Sequence, residues 1–183
     1  MWLFVIYIYK EEVLYLKTTR IFIFMGLLIS MEIVLTRFFS IQTPIVRIGF
    51  GFIPIVLASV MFGPVLGGIT AAFSDILGMM LFPKGAYFPG FTLSAFLAGS
   101  IYGIVLYKKT RTILRIIIVV SIVVIFVDLG LNTYWLSIIT GKGVVALIVP
   151  RFIKSVIMLP IQSILIYSCI KFIPQDKLNG AKV

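Results

Sequence analysis

Six apolar stretches, most of them near bilayer length and set apart by basic residues or glycine–proline turns, dominate this chain. About 20 consecutive apolar residues in a helix cross the hydrocarbon core. A helix is the default there, because lipid offers no partner to an unpaired backbone amide. The sequence predicts spans over 18–36, 49–62, 65–81, 90–107, 113–139 and 144–173. The second is short and stops at Gly63-Pro64. The sixth is long enough to tilt or to break at Pro160. The expected fold is therefore all-α, an integral membrane bundle of six transmembrane helices formed by residues 18–173 as one domain. Residues 1–17 read as an N-terminal extension, interfacial or vector-derived, too short in its apolar part to span and without the features of a cleavable signal peptide. Residues 174–183 read as a short polar cytoplasmic tail.

Composition supports this and narrows the chemistry. Hydrophobic residues make up 61% of the 183 and charged residues 12%, against about 25% charged in a soluble domain. Mean hydropathy is +1.19. Histidine is absent, which removes imidazole acid–base catalysis, the serine–histidine triad and the usual zinc sites. A single cysteine, Cys169, leaves no internal disulfide framework. No cofactor, metal or catalytic residue is expected.

The net charge is +10, yet the basic residues lie in clusters between apolar stretches rather than in one patch. They read as membrane flanks that meet lipid, not as a nucleic-acid surface. Six spans put both termini on one side. Sorted that way, ten of the 16 basic residues lie with the termini: Lys10, Lys17, Arg20, Lys108, Lys109, Arg111, Arg115, Lys171, Lys177 and Lys182. By the positive-inside rule both termini are then cytoplasmic. The other six are Arg37, Arg47, Lys84, Lys142, Arg151 and Lys154, in outer loops or at span ends, and no outer loop holds an acid. Lipid phosphate and a captured anion both explain them.

Three acids lie inside the apolar helices: Glu32, Asp75 and Asp128. A charge at the bilayer centre costs a few kcal/mol, so such groups face a cavity or a partner. Glu32, about one turn from Arg37, reads as an intrahelical pair. Asp75 lies six residues before Leu81, about 9 Å below the outer end of its helix at 1.5 Å per residue. Asp128, Asn132 and Trp135 share one face by i+4 and i+3 spacing. Such a stripe lines a flat heteroaromatic ligand or joins two helices, and spacing does not choose. In the loop 82–91 (FPKGAYFPGF), Tyr87, Phe88 and Phe91 stand beside Lys84 as an interfacial aromatic belt or as a lid. Small residues, Gly26 with Ser30 and Gly63, Gly67, Gly68 and Ala71, mark faces for close packing, within the chain or with another membrane subunit.

The ordered segments 31–38 (MEIVLTRF), 47–54 (RIGFGFIP), 62–64 (FGP), 74–78 (SDILG), 87–95 (YFPGFTLSA), 99–103 (GSIYG) and 131–136 (LNTYWL) carry a resemblance. Over roughly Met25 to Pro160 the chain resembles the folate-family substrate-binding S components of energy-coupling-factor (ECF) transporters. The resemblance implies a six-helix protein of the bacterial cytoplasmic membrane that binds folate from outside with high affinity. It implies partners too: a transmembrane coupling protein and two ATP-binding-cassette ATPases, with release of substrate by toppling of the S component. The family's first helix carries an Ala-xxx-Ala face for the coupling protein, and those positions here are Gly26 and Ser30.

Folate has a planar pterin with donors and acceptors and a tail with two carboxylates. From chemistry and depth, the pterin falls to Asp75 and Asn132, with stacking by Tyr87, Phe88 or Trp135 and Thr92 close by. Arg37, Arg47, Arg151 and Lys154 are candidates for the tail through charge-assisted bonds, and Lys84 lies beside the aromatic loop. The chain contains no G-x-x-x-x-G-K-[ST] phosphate loop, so ATP hydrolysis is expected from partners. Riboflavin is the nearest rival substrate. A membrane-embedded lipid-modifying enzyme is the rival from another class.

Overall fold

The computed structural model describes residues 2–42, 46–83, 85–110 and 112–171, and of 2–18, 42 and 47 the backbone alone. Helix α1 (Trp2–Arg37) is followed by a small hairpin, β1 (Ser40–Gln42) and β2 (Arg47–Gly49), then α2 (Phe52–Phe62), α3 (Pro64–Leu81) and α4 (Pro89–Leu106). A fifth rod joins α5 (Ile113–Ile122), a π-helical stretch (Val123–Leu131) and α6 (Asn132–Thr140), and α7 (Val144–Lys171) closes the bundle. Five segments are long and apolar enough to cross a membrane: Thr19–Arg37, Pro64–Leu81, Pro89–Leu106, Ile113–Thr140 and Val144–Lys171.

Three features depart from the sequence reading. The α2 rod has 11 residues, about 17 Å at 1.5 Å per residue, because the expected start of that span is taken by the last residue of β2 and the turn at Phe50 and Gly51. There Ser40, Ile41 and Gln42 pair antiparallel with Gly49, Ile48 and Arg47. Next, α7 runs unbroken through both Pro150 and Pro160, so no break falls at Pro160. Last, α1 is helical from Trp2, so the backbone of the expected extension continues the first span. Residues 174–183 lie outside the described residues.

Glycine and proline set the turn between α2 and α3. Gly63 has φ +91°, a left-handed value that side chains avoid, and Pro64 supplies the preset first turn of α3. The chain thereby doubles back within a single residue. Beyond it, α3 and α4 lie in backbone contact. A Cβ at Gly99 would stand 2.5 Å from the Gly67 carbonyl oxygen, and one at Gly103 would stand 2.3 Å from Pro64 Cα. Ser59 of α2 donates to the Gly99 carbonyl at 2.8 Å. The small residues Gly67, Gly68 and Ala71 are thus spent on packing inside the chain, as lipid gives no other drive for helix association. Gly26 and Ser30 differ: both are exposed, and nothing lies within 4 Å of a Cβ at Gly26.

The bundle is asymmetric along its length. At one end the last turns of α2, α4 and α7 close around α5, burying Val60, Leu106, Ile116, Val120, Ile166 and Ile170 with Tyr102. The outward faces carry large apolar side chains such as Met80, Ile104, Val145 and Ile164, as a lipid-solvated surface does. At the other end, which bears the hairpin and the α3–α4 loop, the helices stand apart around a cavity.

Candidate functional site

The cavity has a volume of about 1030 Å³ and takes wall residues from every rod. Its two sides differ in chemistry.

On one side stands Asp75, half-buried on α3. Its Oδ2 accepts from Thr92 Oγ1 at 2.7 Å, and Thr92 Oγ1 in turn lies 3.1 Å from the Tyr87 hydroxyl. The local sequence explains this relay. Gly85 turns the loop with φ +137°, and Pro89 starts α4 just after the extended Phe88, bringing Thr92 into the first turn, facing α3. Tyr87 is thereby tied at the rim to an acid on another helix. Phe88 and Phe91 continue this wall.

On the other side stands Asp128, in the π-helical stretch. Its Oδ1 accepts from Asn132 Nδ2 at 3.1 Å, and its Oδ2 lies 3.7 Å from Lys154 Nζ on α7. Its main-chain carbonyl accepts from Arg151 Nη2 at 2.8 Å and from Thr133 Oγ1 at 3.4 Å. A π turn loosens the i→i+4 ladder, which leaves this carbonyl to a guanidinium on a neighbouring helix. Asn132 gives its amide N–H to Asp128, so its Oδ1 stands buried without a hydrogen-bond partner among the described residues. An unsatisfied acceptor of this kind costs about 1–3 kcal/mol.

Trp135 stands behind the wall. Its Nε1 donates to Ser94 Oγ at 3.1 Å, and its ring lies 5.6 Å from that of Phe88. A Cβ at Gly90 would fall 2.7 Å from Trp135 Cδ2, so the glycine lets the indole lie flat on the start of α4. The stripe Asp128–Asn132–Trp135 therefore divides. Its polar members face the cavity and its indole joins two helices while backing Phe88.

Of the six cations sorted to the outer face, the four whose side chains are described do not all converge. Arg151 and Lys154, one turn apart on α7, are in the wall. Arg37 is buried, its guanidinium laid over Gly78 of α3, where a Cβ would meet Nη2 at 3.1 Å. Lys142 is exposed at the α6–α7 turn, with its carbonyl capped by Ser137. Lys84 and the side chain of Arg47 lie outside the described residues. Glu32 is in the wall and accepts from Thr36 at 2.5 Å. Formal charges in the described wall are thus three negative (Glu32, Asp75, Asp128) and two positive (Arg151, Lys154). The surplus of cations is a property of one side only. Sequence reasoning missed Ser94 and Ser155 as well; Ser155 lies one helical turn from Arg151, the one signal available, and Ser94 has none.

A family model described as the substrate-specific component of ECF transporters matches residues 20–170. The chain belongs to this family. Among curated relatives, the S component is 53% identical over 164 residues to a protein of Clostridium novyi (strain NT) named Folate transporter FolT, covering 90% of this chain and 94% of the relative. It is 31% identical over 150 residues to a protein of the same name from Leuconostoc mesenteroides subsp. mesenteroides, covering 79% and 80%. Among solved structures it is similar to a crystal structure of FolT bound with folic acid, with a TM-score of 0.77 and 46% identity over 82% of this chain and 91% of that one.

Proposed function

We propose that this S component binds folate at the outer face of the bacterial cytoplasmic membrane and delivers it inward when joined to an ATP-driven ECF module. The observation that carries the reading is the two-sided cavity of a chain 53% identical to a folate transporter. Asp75, held by Thr92 and Tyr87, accepts from the pterin amino and ring N–H groups. Asn132 Oδ1 takes a further ligand donor. Phe88 and Tyr87 offer faces to the ring, with Trp135 behind them. Arg151 and Lys154 meet the tail carboxylates by charge-assisted bonds. Arg37, buried over Gly78 of α3, stays as a further candidate, with Arg47 and Lys84 from the adjoining loops.

The architecture in this reading has six spans, the short α2 rod counted with the five long ones, and both termini in the cytoplasm. The exposed Gly26–Ser30 face of α1 is where the transmembrane coupling protein docks, and two ATP-binding-cassette ATPases complete the module. A ligand screen by thermal shift on the detergent-solubilised chain tests the substrate. Folate and 5-formyltetrahydrofolate raise Tm according to RT ln(1 + [L]/Kd), while riboflavin and thiamine do not. Stabilisation by riboflavin with none by folate would overturn the assignment. Reconstituted alone in vesicles, the chain binds folate without accumulating it. ATP-dependent accumulation in the absence of the ATPases would defeat the proposed division of labour.

A further inference from the structure

Asp128 has no part in the roles assigned above, yet it touches three wall residues that do. Its carboxylate is anchored on one oxygen by Asn132 Nδ2 at 3.1 Å, within its own rod, and its main-chain carbonyl is anchored by Arg151 at 2.8 Å. Lys154 is held otherwise. Its Nζ lies 3.7 Å from Oδ2, an ion-pair distance beyond that of a direct hydrogen bond. Both side chains retain some exposure to the cavity, 17% for Lys154 and 27% for Asp128. Arg151 spends its bond on a neutral carbonyl, so Asp128 is the one formal anion beside two cations on this wall.

We infer that Asp128 competes with a ligand carboxylate for Lys154, acting as an exchangeable internal anion on the cation-bearing wall. The inference rests on the folate reading, since it is the folate tail that supplies the competing carboxylate. The geometry favours exchange on two counts. Lys154 leaves by rotating its own flexible side chain, with no short bond to break. The Asp128 carboxylate stays where it is, because Asn132 holds its other oxygen, and Arg151 holds the main-chain carbonyl beneath it. The carboxylate keeps a lysine ammonium on the wall in a low-dielectric site, where an unpaired charge is costly, and it also sets how strongly that ammonium attracts an anion. Asp128 thus acts through Lys154 as a positioning residue that tempers affinity for the tail and leaves the pterin end untouched.

Asp128→Asn tests this with two probes, folic acid and its α,γ-diamide, in which both tail carboxylates are neutral. The variant binds folic acid about five- to tenfold more tightly than the parent, the scale of one partly screened ion pair released to the ligand. Its Kd for the diamide changes by less than about twofold. In the Lys154→Gln background the same substitution gives less than half of that gain, since the residue it chiefly acts through is gone and only Arg151 still feels the lost charge; an undiminished gain would overturn the role of Lys154. A purely structural role predicts equal changes for both probes. Direct acceptance of a pterin N–H by Asp128 predicts weaker binding of both, and either pattern overturns the inference. Absence of folic acid binding to the parent chain is a different failure, that of the folate reading itself. Should Asp128→Asn not fold, a folate-bound structure of the unaltered chain decides. A tail carboxylate within about 3 Å of Lys154 Nζ, with the Asp128 pair opened, supports exchange; a pair kept closed with the tail elsewhere rejects it.

Discussion

Asp75→Asn binds folate about a hundredfold more weakly than the parent chain, measured by isothermal titration in detergent. The substitution keeps the shape of the side chain and an oxygen for Thr92, so the relay to Tyr87 survives and the Tm of the protein alone moves little. What is lost is a charged acceptor with two oxygens. Hydrogen bonds to charged groups contribute roughly 1.5–3 kcal/mol each, and the amide presents an N–H where the pterin edge also presents one. A loss near 3 kcal/mol is about a hundredfold in Kd. The 2,4-diamino analogues of folate suffer as well, since they keep the 2-amino donor. Asp128→Asn does not weaken binding in this way. Equal losses from the two substitutions would show that the acid facing the pterin has been wrongly chosen.

Gly103→Ala destabilises the bundle by about 3 kcal/mol or more, the upper range for forcing a methyl group into a packed site. The added carbon would stand 2.3 Å from Pro64 Cα and 2.6 Å from its nitrogen. These are backbone atoms in the first turn of α3, fixed on one side by the φ +91° of Gly63 and on the other by Ser59, which bonds Gly99. No side-chain rotation relieves the overlap, so α3 and α4 must part. In a chain of this size the loss corresponds to a fall in Tm of roughly 6–12 °C, read by thermal unfolding in detergent. Gly26→Ala is the control. Nothing lies within 4 Å of the added atom, so Tm holds or rises slightly through helix propensity. A fall at Gly26 equal to that at Gly103 would mean that the clash is not the cause.

The rods were legible because their signals are local: long apolar runs, stops at Gly63-Pro64, Pro83 and Gly141, and basic flanks. Asp75 was legible by its depth below the helix end and Tyr87 by its loop, but separately; the structure joins them through Thr92 in one relay. The hairpin was not legible, since strands of three residues leave no period to detect. Nor was the π-helical stretch, because VVIFVDLGL reads as ordinary apolar helix and the extra residue per turn leaves no compositional trace. The charges taught a different lesson. Counting cations by side groups Arg37 with Arg151 and Lys154, but it carries no information on facing: one lies over a glycine on α3 while the others reach the cavity. Glu32 illustrates the same limit in reverse. Its spacing from Arg37 speaks of a pair within α1, while the place of its carboxylate at the wall, beside Gly51 at the start of α2, comes from the fold alone.

The dry end of the bundle sets what kind of conduit this chain can be. Val60, Leu106, Ile116, Val120, Ile166 and Ile170 meet there with almost no accessible surface, and a region so apolar offers an ion or a proton nothing to exchange its hydration for. It is an insulating seal in series with a wet cup. With the seal closed, a solute in the cup leaves by the mouth it entered, unless the seal itself is repacked or the cup is turned round.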